Sequence, residues 1–338
     1  MSRVGASGWV VLKFGGTSVS SPSNWASIAA TARQRLDNGD RVLIVHSALS
    51  GVTDRLETLL NDAVAGDFTA ALDALRTRHE TLIQQLGIKS PGALERWWRE
   101  LAELLQQIVV ARGVDDRGRA RIMAMGELLA TTIGEAYLQA RGLPAMWLDA
   151  RDWLRAEARE AATQRANYLS ATCDFRPNTA LQERMASLGT LLITQGFIAS
   201  DAAGDTVLLG RGGSDTSGAY FAALLNARQL EIWTDVPGMF SANPRATPAA
   251  RQLLELTYDE AQEIATAGAK VLHPRCLLPV RQYDIPLYVF ATQVPSMRGT
   301  RISAAPVSEL AQVKAVCVKK GVTLVSMDSP GMWHQVGL

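Results

Sequence analysis

The chain has 338 residues, enough for two or three domains or for one large α/β domain with an appendage. Hydrophobic residues make up 47% and charged residues 20%, which sustains a sizeable core and excludes wholesale disorder. With 34 Lys and Arg against 33 Asp and Glu, the net charge is +1; there is no global footprint for nucleic acid or an anionic membrane, and any anion site must be local. Cys173, Cys276 and Cys317 are odd in number, far apart and without metal-ligand spacing, so buried thiols in a reducing compartment are expected. His46, His79, His273 and His334 are scattered, which disfavours a histidine metal centre. No apolar run reaches about 18 residues, and Met1–Gly8 holds no apolar signal core, so the expected location is cytoplasmic.

Val10–Phe14 reads as a short buried strand that runs into Gly15-Gly16 and then a helix from Trp25 to Leu36. Val42–Val45 is a second buried strand, stopped by a small-residue loop from Ser47 to Thr53. From Arg55 to Gln139 the pattern is helical, with breaks at Gly66, Gly87 and Pro91-Gly92. Leu56, Leu59, Leu60, Ala63 and Val64 fall on one face, and Leu94, Trp97, Trp98, Leu101, Leu104, Leu105, Ile108 and Val109 on another; packing explains both stripes. Strands follow at 191–194 and 206–209, a small-residue helix at 217–225, a strand at 230–233, a helix at 258–266 and a strand at 287–290. Strands alternating with helices imply an α/β fold, a mainly parallel sheet covered on both faces, with ligands at the carboxyl ends of the strands. Beyond Arg301 the texture changes: 314–327 alternates and turns at Lys320-Gly321, like the first strands of a new small unit.

Several catalytic motifs are absent. There is no G-x-x-x-x-G-K-[ST], no H-E-x-x-H, no G-x-S-x-G and no protein-kinase set. Gly210-Arg211-Gly212-Gly213-Ser214-Asp215 almost fits G-x-G-x-x-G but ends in Asp, which disfavours a dinucleotide fingerprint.

The positive features are glycine loops. Lys13-Phe14-Gly15-Gly16 sets a lysine at a strand end before two glycines. Glycines admit a phosphate to backbone N–H groups, and the lysine can neutralise a migrating phosphoryl group; a plain βα turn with a solvated lysine is the other reading. The loop 210–215 adds Arg211, able to clamp a carboxylate, and Asp215, able to hold Mg²⁺ or orient the lysine; a tight turn with a surface ion pair is its alternative. Thr234-Asp235 closes a third strand, and Arg245 and Lys270 follow as cations suited either to nucleotide phosphates or to solvent. Gly126-Glu127 is expected to open a helix over 128–137, its carboxylate complementing the helix dipole or binding an ammonium. The set suits phosphoryl transfer to a carboxylate, which is ionised at neutral pH and needs cations rather than a base.

Seven segments carry a resemblance: VVLKFGGTSV (10–19), VHSALSGVTD (45–54), MGELLA (125–130), TQGFIA (194–199), LLGRGGSDTSG (208–218), IWTDVPGMFSANPR (232–245) and GAKVLHPRCLLPV (268–280). They resemble the signature segments of aspartate kinases, in the family's order. The resemblance implies the amino acid kinase fold, a three-layer αβα sandwich, as a catalytic domain over 1–305. Residues 306–338 would begin an incomplete ACT-like regulatory domain. It implies ATP, Mg²⁺ and L-aspartate as reactants and 4-phospho-L-aspartate as product. Lys13 and Asp215 would be catalytic. Ser47, Thr53, Glu127 and Arg211 would bind aspartate; Gly15, Gly16, Gly212, Gly213, Thr234, Asp235, Arg245 and Lys270 would bind the nucleotide. No metal-ligating side chain is assigned. A homo-oligomer, and fusion to a further enzyme such as diaminopimelate decarboxylase, are compatible with it. Ala130 departs from the Ser that many relatives carry there. The rivals are kinases of the same fold acting on acetylglutamate, glutamate, carbamate or a nucleoside monophosphate, and a non-catalytic sensor.

Overall fold

The structure is a computed structural model that describes residues 8–159, 162–268, 271–304, 313–318, 321 and 323. Strand β1 (Trp9–Phe14) is buried at every position, as a central strand covered on both faces must be. Helix α1 (Pro22–Asp37) starts earlier than expected because the Ser21 side chain accepts the Asn24 N–H and Pro22 suits the first turn. It leads to β2 (Arg41–His46), parallel to β1 with Phe14 opposite His46.

The helical stretch divides into α2 (Val52–Ala65), α3 (Thr69–Leu86), α4 (Leu94–Ala111) and α5 (Asp116–Ala140). Gly66 and Gly87 end α2 and α3 in the left-handed region, φ 110° and 66°, where glycine is unstrained. A further stop at Arg112, φ 50°, was not expected; Asp115 then caps α5 through the Gly118 N–H. The Trp97–Trp98 pair is buried in the core as expected, whereas Val64 is 38% exposed on the flank of its helix.

The chain continues through β3 (Met146–Leu148), α6 (Gln164–Leu169), α7 (Thr179–Leu188), β4 (Leu191–Gln195), β5 (Ile198–Ser200), β6 (Thr206–Leu208) and α8 (Gly213–Leu224). It then forms β7 (Gln229–Thr234), β8 (Met239–Phe240), β9 (Gln252–Leu253), β10 (Glu255–Thr257), α9 (Tyr258–Thr266), α10 (Leu277–Gln282), β11 (Leu287–Ala291) and β12 (Thr300–Ser303). Among the described residues one eight-stranded sheet has the order β10-β12-β11-β7-β1-β2-β4-β3, all parallel except β11 with β12. Two hairpins, β5-β6 and β8-β9, stand apart from it.

The strand order reverses at β1, which lies between β2 and β7, and such a switch point opens a crevice at the carboxyl ends. Side chains alternate across a strand. Lys13 meets α8, where a Cβ added to Gly218 would lie 3.2 Å from Lys13 Cβ. His46, opposite Phe14, meets the other layer, edge-on to Trp25 of α1 at 5.6 Å. Helices therefore cover both faces of a mainly parallel sheet, as the strand–helix rhythm predicts.

Cys173 and Cys276 are buried thiols as expected, and Cys317 is half-buried. Most of 306–338 lies outside the described residues. Of it, 313–318 docks on the main body without forming a strand: Val316 N–H donates to the Ser241 carbonyl at 2.8 Å, and Lys314 pairs with Glu260 at 2.5 Å. Among the described residues no helix is long and apolar enough to cross a membrane.

A buried ion pair ties α1 to the sheet. Glu231 of β7 is fully buried and accepts from Arg35 Nε of α1 at 2.8 Å, from Trp233 Nε1 at 3.1 Å and from Gln229. Removing one partner leaves the others desolvated without compensation. Glu231→Ala is expected to destabilise the fold by about 3 kcal/mol, read as a lowered urea midpoint at unchanged slope.

Candidate active site

The crevice is lined by loops that leave the parallel strands at the same level. The Lys13 ammonium, 9% exposed, lies 2.6 Å from Asp215 Oδ1, 14% exposed. Asp215 stands in the first turn of α8, because that helix begins at Gly213, four residues before the expected start. Its Oδ2 accepts the His273 backbone N–H at 3.2 Å, so both carboxylate oxygens are engaged. Two residues 202 positions apart in sequence thus meet through the β1–α8 packing.

Backbone geometry makes the glycines necessary. Gly212 has φ 67°, and a Cβ there would sit 2.1 Å from His273 Cγ. A Cβ on Gly213 would meet Phe197 Cδ2 at 2.7 Å, and one on Gly16 would meet the Ala48 carbonyl oxygen at 2.8 Å. Gly15 donates its N–H to the Trp233 carbonyl at 3.2 Å and joins the ends of β1 and β7. These contacts seat the 15–16 loop against the 47–50 loop and the 210–215 loop against His273 and Phe197, and the Lys13–Asp215 pair links the two. His273 has no role in the sequence reading, although it lies within 268–280; it packs over Gly212 and holds Asp215. Burial pulls its imidazole below the usual value, and Asp215 opposes this.

Glu127 corrects an expectation. It lies in the middle of α5 rather than at a helix start. Gly126 resembles a break, yet it admits a close approach: a Cβ there would lie 2.9 Å from Ala48 Cβ. Glu127 is buried, and its Oε1 accepts the Ala48 N–H at 3.1 Å. Burial pushes its carboxyl up to about 8, and the Ala48 hydrogen bond opposes the shift. Its other oxygen takes no hydrogen bond from a described residue. The arrangement suits a cationic group that would restore the charged form.

Ser47 follows β2 directly and is half-buried, with its N–H on the Phe14 carbonyl at 3.2 Å. Thr53 is exposed in the first turn of α2. Arg211 is exposed, and no ion pair with a described residue engages it. Thr234 ends β7 and donates to Asp235 Oδ1 at 3.1 Å; Asp235 is exposed. Arg245 lies on the exposed connection between β8 and β9, its N–H on Asn243 Oδ1 at 3.0 Å, with no bond to the Lys13–Asp215 pair. Lys270 lies outside the described residues. Among the described residues no cluster of three His, Cys, Asp or Glu side chains forms a metal site.

The amino acid kinase family matches residues 8–291. Lysine-sensitive aspartokinase 3 of Escherichia coli is 32% identical over 340 residues, covering 97% of this chain and 71% of the relative. The bifunctional aspartokinase/homoserine dehydrogenase of Haemophilus influenzae is 32% identical over 97% of this chain but only 40% of its own length. A crystal structure of E. coli aspartokinase III in complex with aspartate and ADP superposes with a TM-score of 0.75 at 33% identity, covering 88% of this chain and 65% of that one. The chain therefore spans between two fifths and some seven tenths of these relatives. With a switch-point crevice, a buried Lys–Asp pair and this agreement in sequence and fold, the chain belongs to the amino acid kinase family, within its aspartokinase branch.

Proposed function

We propose that this chain transfers the γ-phosphoryl group of Mg-ATP to the side-chain carboxylate of L-aspartate, giving ADP and 4-phospho-L-aspartate. The observation that carries the reading is the Lys13–Asp215 ion pair at the carboxyl ends of the central strands. It is supported by the E. coli relative's complex with aspartate and ADP.

A carboxylate of ordinary pKa, about 3.9, is already ionised at neutral pH. One of its oxygens forms the bond to the γ-phosphorus, while the bond to the β–γ bridging oxygen breaks and its electrons leave with ADP. The obstacle is the approach of two anions, so the catalyst supplies positive charge. Lys13 stabilises the transferred phosphoryl group and Asp215 holds that ammonium in place. Arg211, exposed and without an ion pair to any described residue, grips the substrate α-carboxylate; Glu127 receives its ammonium; Ser47 and Thr53 flank the reacting carboxylate. Gly15, Gly16, Gly212 and Gly213 shape the phosphate loops, and Thr234, Asp235, Arg245 and Lys270 hold the nucleotide. Mg²⁺ would offset the charge of the nucleotide phosphates, and Asp215, the carboxylate beside Lys13, would be the side chain placed to help hold it.

The same proposal divides the chain into a catalytic unit over 1–305 and the start of an ACT-like unit over 306–338. It sets the reaction in the cytoplasm, at the opening of the diaminopimelate route to lysine. A homo-oligomer, and fusion to a further enzyme such as diaminopimelate decarboxylase, are compatible with it.

Purified chain with Mg-ATP and hydroxylamine is expected to yield a hydroxamate with L-aspartate and none with glutamate, acetylglutamate or carbamate. Nucleotide binding without hydroxamate from any acceptor would overturn the reading. Lys13→Ala should lower kcat more than 100-fold, about 3 kcal/mol of transition-state stabilisation; unchanged turnover would remove Lys13 from the mechanism.

The position of Glu127 gives a pH dependence. Its carboxyl is raised from 4.5 to about 8. Across that window the folded chain keeps a proton that the unfolded chain has lost. Its contribution to stability is therefore full below the unfolded value and is lost as pH rises through the folded one. An ammonium binds the ionised form, so substrate capture expels the proton. KM for L-aspartate should fall as pH rises from about 6.5 to about 8, by at most about tenfold per unit. Glu127→Gln should give a higher KM that is flat with pH; a pH-dependent KM persisting in that variant would assign the titration elsewhere.

A further inference from the structure

His46 is a buried titratable group that the proposed mechanism leaves unused. It is fully buried at the end of β2. Its Nδ1 lies 2.8 Å from the Ser47 carbonyl oxygen. A carbonyl only accepts, so Nδ1 carries the proton and Nε2 is the lone-pair nitrogen. Nε2 has no hydrogen-bond partner among the described residues and lies beside Gly134, where a Cβ would come within 2.9 Å of it. Burial keeps the ring neutral by pulling its pKa down to about 4.

An apolar ring would fill this space without burying an unpartnered nitrogen, so packing alone does not account for the imidazole. Its other nitrogen does have a defined task. The carbonyl it holds belongs to the peptide unit whose N–H, on Ala48, donates to Glu127 Oε1 at 3.1 Å. That unit is planar, so fixing its carbonyl fixes the direction of its N–H. Polarisation runs the same way: a donor on the carbonyl makes the N–H a better donor to a carboxylate. The preceding peptide is anchored independently, by Ser47 N–H on the Phe14 carbonyl at 3.2 Å.

We infer that His46 is a positioning residue for Glu127, acting through the Ser47–Ala48 peptide, which two buried side chains from β2 and α5 clamp at both ends. The inference rests on the reading of Glu127 as the group that receives the substrate ammonium. His46 touches no substrate itself; it aims the hydrogen bond that orients the carboxylate.

The test is kinetic and spectroscopic. His46→Phe keeps an aromatic ring and removes the donor. It should raise KM for L-aspartate about tenfold, with kcat and KM for ATP within about twofold. His46→Asn, whose amide nitrogen is as many bonds from the main chain as Nδ1, should restore most of the loss. In a Glu127→Gln background, His46→Phe should add little. An unchanged aspartate KM in His46→Phe, while Glu127→Gln raises it, would overturn the positioning role and leave the Glu127 reading intact. An unchanged aspartate KM in Glu127→Gln would instead overturn that reading and, with it, this inference. A measurement independent of variant folding uses the intact chain with ¹⁵N-labelled histidine. A neutral imidazole protonated at Nδ1 is expected for His46; protonation at Nε2 would break the clamp and overturn the inference.

Discussion

A lysine ammonium and an aspartate carboxylate 2.6 Å apart, both mostly out of water, are the contact on which the arrangement of the crevice depends. Neither charge is stable alone in such a place. Lys13 can occupy a central strand because α8 lies directly against it, and α8 can approach because Gly218 has no Cβ to strike the lysine stem. Asp215 can face the lysine because α8 begins at Gly213, which sets the carboxylate in its first turn. That start depends on Gly212 at φ 67° beneath His273, whose N–H occupies the second carboxylate oxygen. The pair is thus the product of two glycine loops, one helix start and one strand order.

Much of this was legible in the sequence, for physical reasons. Val10–Leu12 with Phe14, and Val42–Val45, are apolar runs of the kind that strands buried on both faces need. Gly16 and the Gly212-Gly213 pair mark close approaches that a Cβ would block. The segments around them were specific enough to carry the family resemblance. Residue types also announced Lys13 and Asp215, but periodicity could not show that they meet, because that contact is set by strand order across 202 positions.

What was not legible has equally local causes. The strands β3, β8, β9, β10 and β12 are two to four residues long, too short for alternation to register. The stop at Arg112 uses a non-glycine residue at φ 50°, which no punctuation residue at that position announces. Gly126 misled because glycine disfavours helix interiors. Here the helix runs through it, held by the Asp115 cap and by burial from Ile122 to Gly134, and the missing Cβ admits the Ala48 loop. The consequence is functional: Glu127 is carried into the buried layer instead of lying at an exposed helix end. That burial is why its carboxyl is held so far above its usual range.

The sheet carries a second buried ion pair, and comparing the two separates structure from chemistry. On the α1 face Glu231 is fully buried, and Arg35, Gln229 and Trp233 supply its donors from helix and strand alike. That pair acts as a rivet between α1 and β7. On the α8 face the Lys13–Asp215 pair lies at the strand ends, retains some exposure and opens beside Arg211, which is exposed and has no ion pair to a described residue. An ammonium has three donors, and Asp215 takes one side of it, so an incoming anion can share the lysine without first breaking the pair. The same chemistry therefore serves two ends. Where the carboxylate is enclosed by donors of the fold, as at Glu231, the pair ties helix to sheet. Where the pair stops at the mouth of a switch-point crevice, the remaining positive charge is what a migrating phosphoryl group needs.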